Sequence, residues 1–186
     1  MDEYKFTIEN KDIMKKGIRA LGIDCGIALT GWAVIERLTK IRSKPPNLID
    51  FGVIKTKAGE DMSDRLVLLY KEVIKLIDKY KPDTAAVEGL FYFKNKKTII
   101  SVGQARGVIL LAIKSKNIQS YDYTPLQVKQ AVTGYGKASK KQVQRMVKSI
   151  LNLKEIPRPD DAADAVAIGI CHLNSLNINK FQNKVK

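Results

Sequence analysis

The chain is poor in the side chains on which several kinds of chemistry depend. Its 186 residues include two cysteines, Cys25 and Cys171, one histidine, His172, and one tryptophan, Trp32. Two cysteines cannot supply a disulfide framework, and neither lies in a paired Cys/His spacing of the kind that binds zinc. With a single histidine, nucleophilic triads and zinc hydrolysis lack their usual parts, and His172 reads as a packing residue near a helix end. No segment holds 18 uninterrupted apolar residues, and Met1 to Lys16 mixes Lys, Asp and Glu without an apolar signal-peptide core. Neither membrane spanning nor secretion is expected, and a reducing cytoplasm is the expected location.

Acids are also scarce. Against 33 Lys and Arg stand 19 Asp and Glu, a net charge of +14. From Lys94 to Lys148 there are twelve basic residues and a single acid, Asp122, so this window alone carries +11. A charge so one-sided makes a polyanion the expected partner. Hydrophobic residues at 45% and charged residues at 28% are otherwise ordinary for a folded domain, and the length suits one domain. We expect that domain to span residues 18–173, between a polar extension at 1–17 and a tail at 174–186.

The apolar pattern predicts an α/β fold. Leu21 and Ile23, then Trp32, Val34 and Ile35, read as two strands joined by a glycine-containing turn, with a third strand over Leu48 to Thr56. Leu66, Leu69, Val73, Ile77 and Tyr80 fall at helical spacing until Lys81-Pro82 ends the run. Thr84 to Leu90 is short and apolar, as expected of a buried strand reached by a crossover helix. A second helix is expected over Thr98 to Lys114, where Gly103 and Gly107 would permit close packing on the sheet. Ile118 to Tyr123 completes a five-stranded mixed sheet flanked by helices. Thr124-Pro125-Leu126-Gln127 and Ser139-Lys140-Lys141-Gln142 each spell a capping box, and a last helix starts near Pro159-Asp160.

Four carboxylates interrupt apolar runs, where an unpaired charge is costly: Asp24, Glu88, Asp161 and Asp164. Asp24 ends a strand, Glu88 sits within another, and Asp161 and Asp164 lie one helical turn apart. If they converge, so many like charges need cations, and hard oxygen donors suit Mg²⁺ or Mn²⁺. Asp160 is expected to be the helix cap. For Asp161, capping and metal binding are equally good readings, whereas Asp164 lies too deep in its helix to cap it. Beyond Glu88, Phe91-Tyr92-Phe93-Lys94-Asn95-Lys96-Lys97 sets aromatic rings beside cations, a pairing suited to stacked bases and phosphates. Charge, rings and acids together point to nucleic-acid phosphodiester chemistry.

In order along the chain, Leu21-Gly22-Ile23-Asp24-Cys25-Gly26, Thr30-Gly31-Trp32, Val87-Glu88-Gly89-Leu90-Phe91 and Gly103-Gln104-Ala105-Arg106-Gly107 closely resemble the RuvC family of bacterial Holliday-junction resolvases. So do Gln127-Val128-Lys129-Gln130, Gly134-Tyr135-Gly136 and Asp161-Ala162-Ala163-Asp164-Ala165, and the resemblance runs from about Ile18 to His172. It implies a ribonuclease H-like fold, a homodimer, and paired symmetric nicks across a four-way DNA junction, leaving ligatable 5′-phosphate and 3′-hydroxyl ends. It further implies that metal ions are held by Asp24, Glu88, Asp161 and Asp164, and two Mg²⁺ ions per site, replaceable by Mn²⁺, are the expected complement. The branch-migration proteins RuvA and RuvB are implied partners. By position, Phe91 looks like the aromatic that engages bases near the junction centre, with Tyr92 as a second contact, and Lys129 and Lys140 match lysines that handle DNA near the active site. With Lys94, Lys96, Lys97, Arg106, Lys137 and Lys141 from the basic window, these make up the expected DNA-binding set. Cys25 stands where Pro is common in the family and Gly89 where Gln is common, which removes any polar contact of that Gln. The rival readings are a metal-free junction-binding module of the same fold and an ATPase lobe of the actin and Hsp70 type, the latter disfavoured by the chain's size.

Overall fold

The computed structural model describes residues 17–38, 45–89 and 96–176. Five strands form one sheet in the order β3-β2-β1-β4-β5. β1 (Gly17–Asp24), β2 (Leu29–Leu38) and β3 (Asn47–Lys55) form an antiparallel meander, and β4 (Thr84–Glu88) and β5 (Gln119–Tyr123) continue the sheet parallel to β1. The parallel steps are made by α1 (Met62–Tyr80), between β3 and β4, and α2 (Lys96–Ser115), between β4 and β5. After β5 come α3 (Pro125–Thr133), α4 (Lys140–Ile150) and α5 (Asp160–Ser175). Among the described residues no helix is long and apolar enough to cross a membrane.

Side chains alternate across a strand, so each strand feeds two cores. Leu21, Ile23, Val34, Ala85 and Val87 point to one face, where they pack with Leu69, Val73 and Ile77 of α1 and Ala105, Ile109 and Ile113 of α2. Ala20, Ala33, Ile35 and Ala86 point to the other, against Val166, Ile168 and Ile170 of α5 and, beyond it, Val128 of α3 and Val147 of α4. The same parity places Asp24, two residues after Gly22, and Glu88, two after Ala86, on the α5 face of their strands.

The helix ends follow local chemistry. Asp61 caps α1 through Ser63 N at 2.8 Å, and Lys81 closes it in the left-handed region at φ 47° just before Pro82. Both expected capping boxes form, with Thr124 N donating to Gln127 Oε1 at 2.8 Å and Ser139 N to Gln142 Oε1 at 2.7 Å. Two expectations are corrected. Gly107 does not serve close packing, because a Cβ there would meet nothing within 4 Å. Asp160 does not cap α5: Pro159 holds that position, without a side-chain cap, and Asp160 is already helical.

Candidate active site

α5 crosses β1 and β2 at unusually close range, and glycine permits it. A Cβ on Gly31 would lie 2.0 Å from the Asp161 carbonyl oxygen, and one on Gly22 would lie 2.4 Å from that of Ala165. Alanines at 162, 163, 165 and 167 keep the helix thin on this side, and all four are buried. The first turns of α5, with Asp161 and Asp164, are thereby brought to the end of β1 where Asp24 sits.

The electrostatics show the convergence. Asp24 is pushed up to about 8, first by burial and then by Glu88, with which it shares a hydrogen bond, and by the charges of Asp164 and Asp161. Burial also raises Glu88, a rise that the hydrogen bond from Asp24 partly offsets. Both carboxyls of the pair are therefore raised, and they share a proton between them. Asp164 is raised by burial, and Lys140 opposes the rise. Lys140 Nζ lies 2.9 Å from Asp164 Oδ2 and 3.5 Å from Asp160 Oδ2. Partial burial works against the Lys140 charge, yet its bonds to these two acids outweigh it and hold the amine above the usual lysine value. Asp160 is held in turn by Gln144 Nε2 at 3.0 Å and Arg158 Nη1 at 3.4 Å.

One proton and one lysine thus do part of the neutralising that cations would otherwise do. Among the described residues, no three His, Cys, Asp or Glu side chains stand close enough to enclose a single ion as they are. The donor set nonetheless suits hard divalent cations, being all carboxylate and carrying more negative charge than its surroundings tolerate.

The other residues expected at the site divide into groups. Lys137 and Lys141 are exposed beside the N-terminus of α4, and Lys129 is half-buried on α3. Arg106 is turned inward, its Nη2 2.7 Å from Asp122 Oδ1 and its Nε 3.3 Å from the Glu88 carbonyl oxygen, with the side chain 17% exposed. Phe91, Tyr92 and Lys94 lie outside the described residues, as do the side chains of Lys96 and Lys97, whose backbone opens α2. Sequence reasoning missed Gln144 and the helix-crossing role of Gly22 and Gly31. Gln144 offers no pattern to find, whereas the glycines stand on the same strand parity as Asp24 and could have been noticed.

Sheet order, the long helix across one face and the carboxylate cluster beneath its first turns define a ribonuclease H-like protein with an acidic centre. Residues 20–172 match the family model for "Crossover junction endodeoxyribonuclease RuvC", and the chain belongs to that family. The RuvC protein of Halothermothrix orenii is 54% identical over 160 residues, covering 86% of this chain and 94% of that protein. That of Caldicellulosiruptor saccharolyticus is 52% identical over 165 residues, covering 89% and 98%. Among solved structures, Thermus thermophilus RuvC superposes with a TM-score of 0.78 at 36% identity over 84% of this chain and 94% of that one. The same protein has been solved in complex with a Holliday junction substrate, matching at 35% identity, TM-score 0.78, over 84% and 93%. Yeast mitochondrial Ydc2, at 16% identity and TM-score 0.62 over 91% and 84%, shares the fold.

Proposed function

We propose that the chain resolves four-way DNA junctions by metal-assisted hydrolysis of two symmetrically placed phosphodiesters, one in each active site of a homodimer. Asp24, Glu88, Asp161 and Asp164 hold the cations, with Mg²⁺ the physiological choice and Mn²⁺ a substitute. The observation that carries this reading is Asp24, a strand-end carboxylate raised to about 8 by burial and three acidic neighbours. A cluster so under-neutralised is suited to cations rather than to packing. When bound there, divalent cations supply Lewis acidity, which makes a water nucleophilic near neutral pH and relieves charge on the leaving 3′ oxygen, giving 5′-phosphate and 3′-hydroxyl ends.

The chain's own residues set the rest. Glu88 and Asp24 fix one side of the centre from adjacent strands, and α5 supplies the other. Lys140, capped in place at the start of α4, can exchange Asp164 for the phosphate once cations neutralise the acids. Its charge then lies where negative charge develops. Lys129, Lys137 and Lys141 hold the sugar-phosphate backbone beyond the centre, with Lys94, Lys96 and Lys97 adding to the same charge, while Phe91 and Tyr92 engage bases at the junction. The charge window fits a cytoplasmic enzyme on DNA, with RuvA and RuvB as partners in recombination and repair.

The test is a nicking assay on synthetic four-way junctions of varied core sequence, with Mg²⁺ or EDTA, beside a linear duplex and the Asp24→Asn protein. Symmetric, ligatable, Mg²⁺-dependent nicks confined to the junction and lost in Asp24→Asn are expected. Junction binding without cleavage under all metals and sequences would establish a binding module instead.

A further inference from the structure

Arg106 is mostly covered and pairs with an exposed acid, Asp122, at the point where the acid-bearing sheet ends. Its guanidinium reaches from α2 to two strands at once, through Nη2 to the Asp122 carboxylate on β5 at 2.7 Å and through Nε to the Glu88 backbone carbonyl on β4 at 3.3 Å. The two strands are registered beside each other there, Val87 opposite Asp122 and Glu88 opposite Tyr123. Gly89 N donates to the Tyr123 carbonyl at 2.9 Å, the last bond of that ladder. The Glu88 carbonyl, at the end of its strand, accepts from Arg106 Nε.

We infer that Arg106 is a positioning residue for the acidic centre: it pins the backbone of Glu88 so that the carboxylate stays turned towards Asp24. This rests on the reading of the centre as a divalent-metal nuclease site. Two of the five N–H donors of the guanidinium are thus committed to the protein. Nε and Nη2 are both engaged internally, and the side chain is mostly covered. Arg106, expected from the charge window to bind DNA, acts instead through the protein. Asp122, the one acid in that window, holds the other end of the fork and keeps the arginine aimed at β4. Both nitrogens lie in one rigid plane, so lysine cannot reproduce the two bonds together. Residues that orient metal-binding carboxylates commonly change metal affinity or activity by roughly 10 to 100-fold when removed.

The experiment compares wild type, Arg106→Lys, Arg106→Gln and Asp122→Asn on three readouts. The first is affinity for a synthetic four-way junction in EDTA across a salt series. The second is single-turnover cleavage at saturating protein against Mg²⁺ concentration. The third is Mn²⁺ binding to the protein alone by calorimetry. We expect junction affinity and its salt slope to stay within twofold of wild type. Cleavage should fall roughly 10 to 100-fold for Arg106→Gln, with half-saturating Mg²⁺ and the Mn²⁺ dissociation constant both raised. Arg106→Lys should recover only part, and Asp122→Asn should move all readouts in the same direction by less. A drop of about one in the salt slope with unchanged cleavage at saturation would make Arg106 a phosphate contact and overturn the inference. Unchanged behaviour in all three would overturn it as well. If Arg106→Gln does not fold, Asp122→Asn carries the test alone. Failure of the wild type itself to nick junctions would strike the functional proposal and would be read separately from these comparisons.

Discussion

Lys140 Nζ rests 2.9 Å from Asp164 Oδ2, so in the absence of cations the centre is partly neutralised by its own lysine. The pair is half exposed, which limits its worth to about 1 kcal/mol or less. Replacing the lysine by methionine leaves Asp24, Glu88 and Asp164 to repel one another. In EDTA at pH 8 the Lys140→Met protein should melt roughly 2–4 °C below wild type, and saturating Mg²⁺ should close the gap. A gap that Mg²⁺ leaves intact would show that the lysine serves the fold rather than the acids.

The crossing of α5 over β2 gives a sharper prediction. A Cβ at Gly31 would sit 2.0 Å from the Asp161 carbonyl oxygen, so Gly31→Ala must push the first turn of α5 away from the sheet. We expect a cost of about 1–3 kcal/mol and a loss of cleavage far beyond what that instability explains, at least ~100-fold under conditions where the protein stays folded. Gly107→Ala is the control. Its Cβ would meet open space in the middle of a helix, so it should stabilise by about 0.5–1 kcal/mol, read as a raised Tm with cleavage unchanged. Equal losses of cleavage in the two variants would remove the geometric argument.

His172 gives a direct spectroscopic check of the buried α5 face. It is fully covered, with Nε2 3.0 Å from Thr84 Oγ1 and Nδ1 2.9 Å from Tyr123 Oη, and burial lowers its pKa to about 4. The folded value lies below the ordinary value of about 6.5, so the stability this group contributes is complete above pH 6.5 and is lost as pH falls towards 4. The sole histidine should give one Hε1 and one Hδ2 ring resonance in NMR, both titrating near 4. Titration near 6.5 would mean that the Thr84–His172–Tyr123 chain is open in solution.

Much of this arrangement was legible in the residues, for identifiable reasons. Period-two apolar runs fixed the strands, Lys81-Pro82 ended α1, and the two capping boxes formed with the bonds their spelling implies. Asp24, Glu88 and Asp164 stood out because a charge among alanines and valines calls for a reason. What the residues hid was tertiary. Arg106 looked like one more cation of the basic window until Asp122 and the Glu88 carbonyl were found on its fork. Asp160 looked like a cap until Pro159 took that place and Gln144 took its carboxylate. Gly107 looked like a packing glycine, although its helix face is open. Each case turns on which partner lies across a sheet or helix crossing, and spacing along one chain does not encode that.

Asp24 ties stability to function most directly. Its folded pKa of about 8 lies above the ordinary carboxylate value of 3.8, so the folded protein binds the extra proton more tightly than the unfolded chain does. For a raised acid the contribution to stability is complete below pH 3.8 and is lost as pH rises through 8. Wild type in EDTA should therefore lose stability between about pH 4 and pH 8, where His172 works in the opposite sense only below about 6.5. Asn cannot ionise, so Asp24→Asn should flatten the decline and melt on the order of 5–10 °C above wild type at pH 8 in EDTA, with the two converging near pH 4. Mg²⁺ should stabilise wild type at pH 8 by neutralising the same charge, and should do less for the variant. Melting curves across pH, with and without Mg²⁺, decide it. If Asp24→Asn is less stable than wild type at pH 8 in EDTA, the acidic centre is not under charge strain. The same substitution that removes cleavage should thus strengthen the apo fold, because the centre keeps its acids at a cost in stability that cations offset.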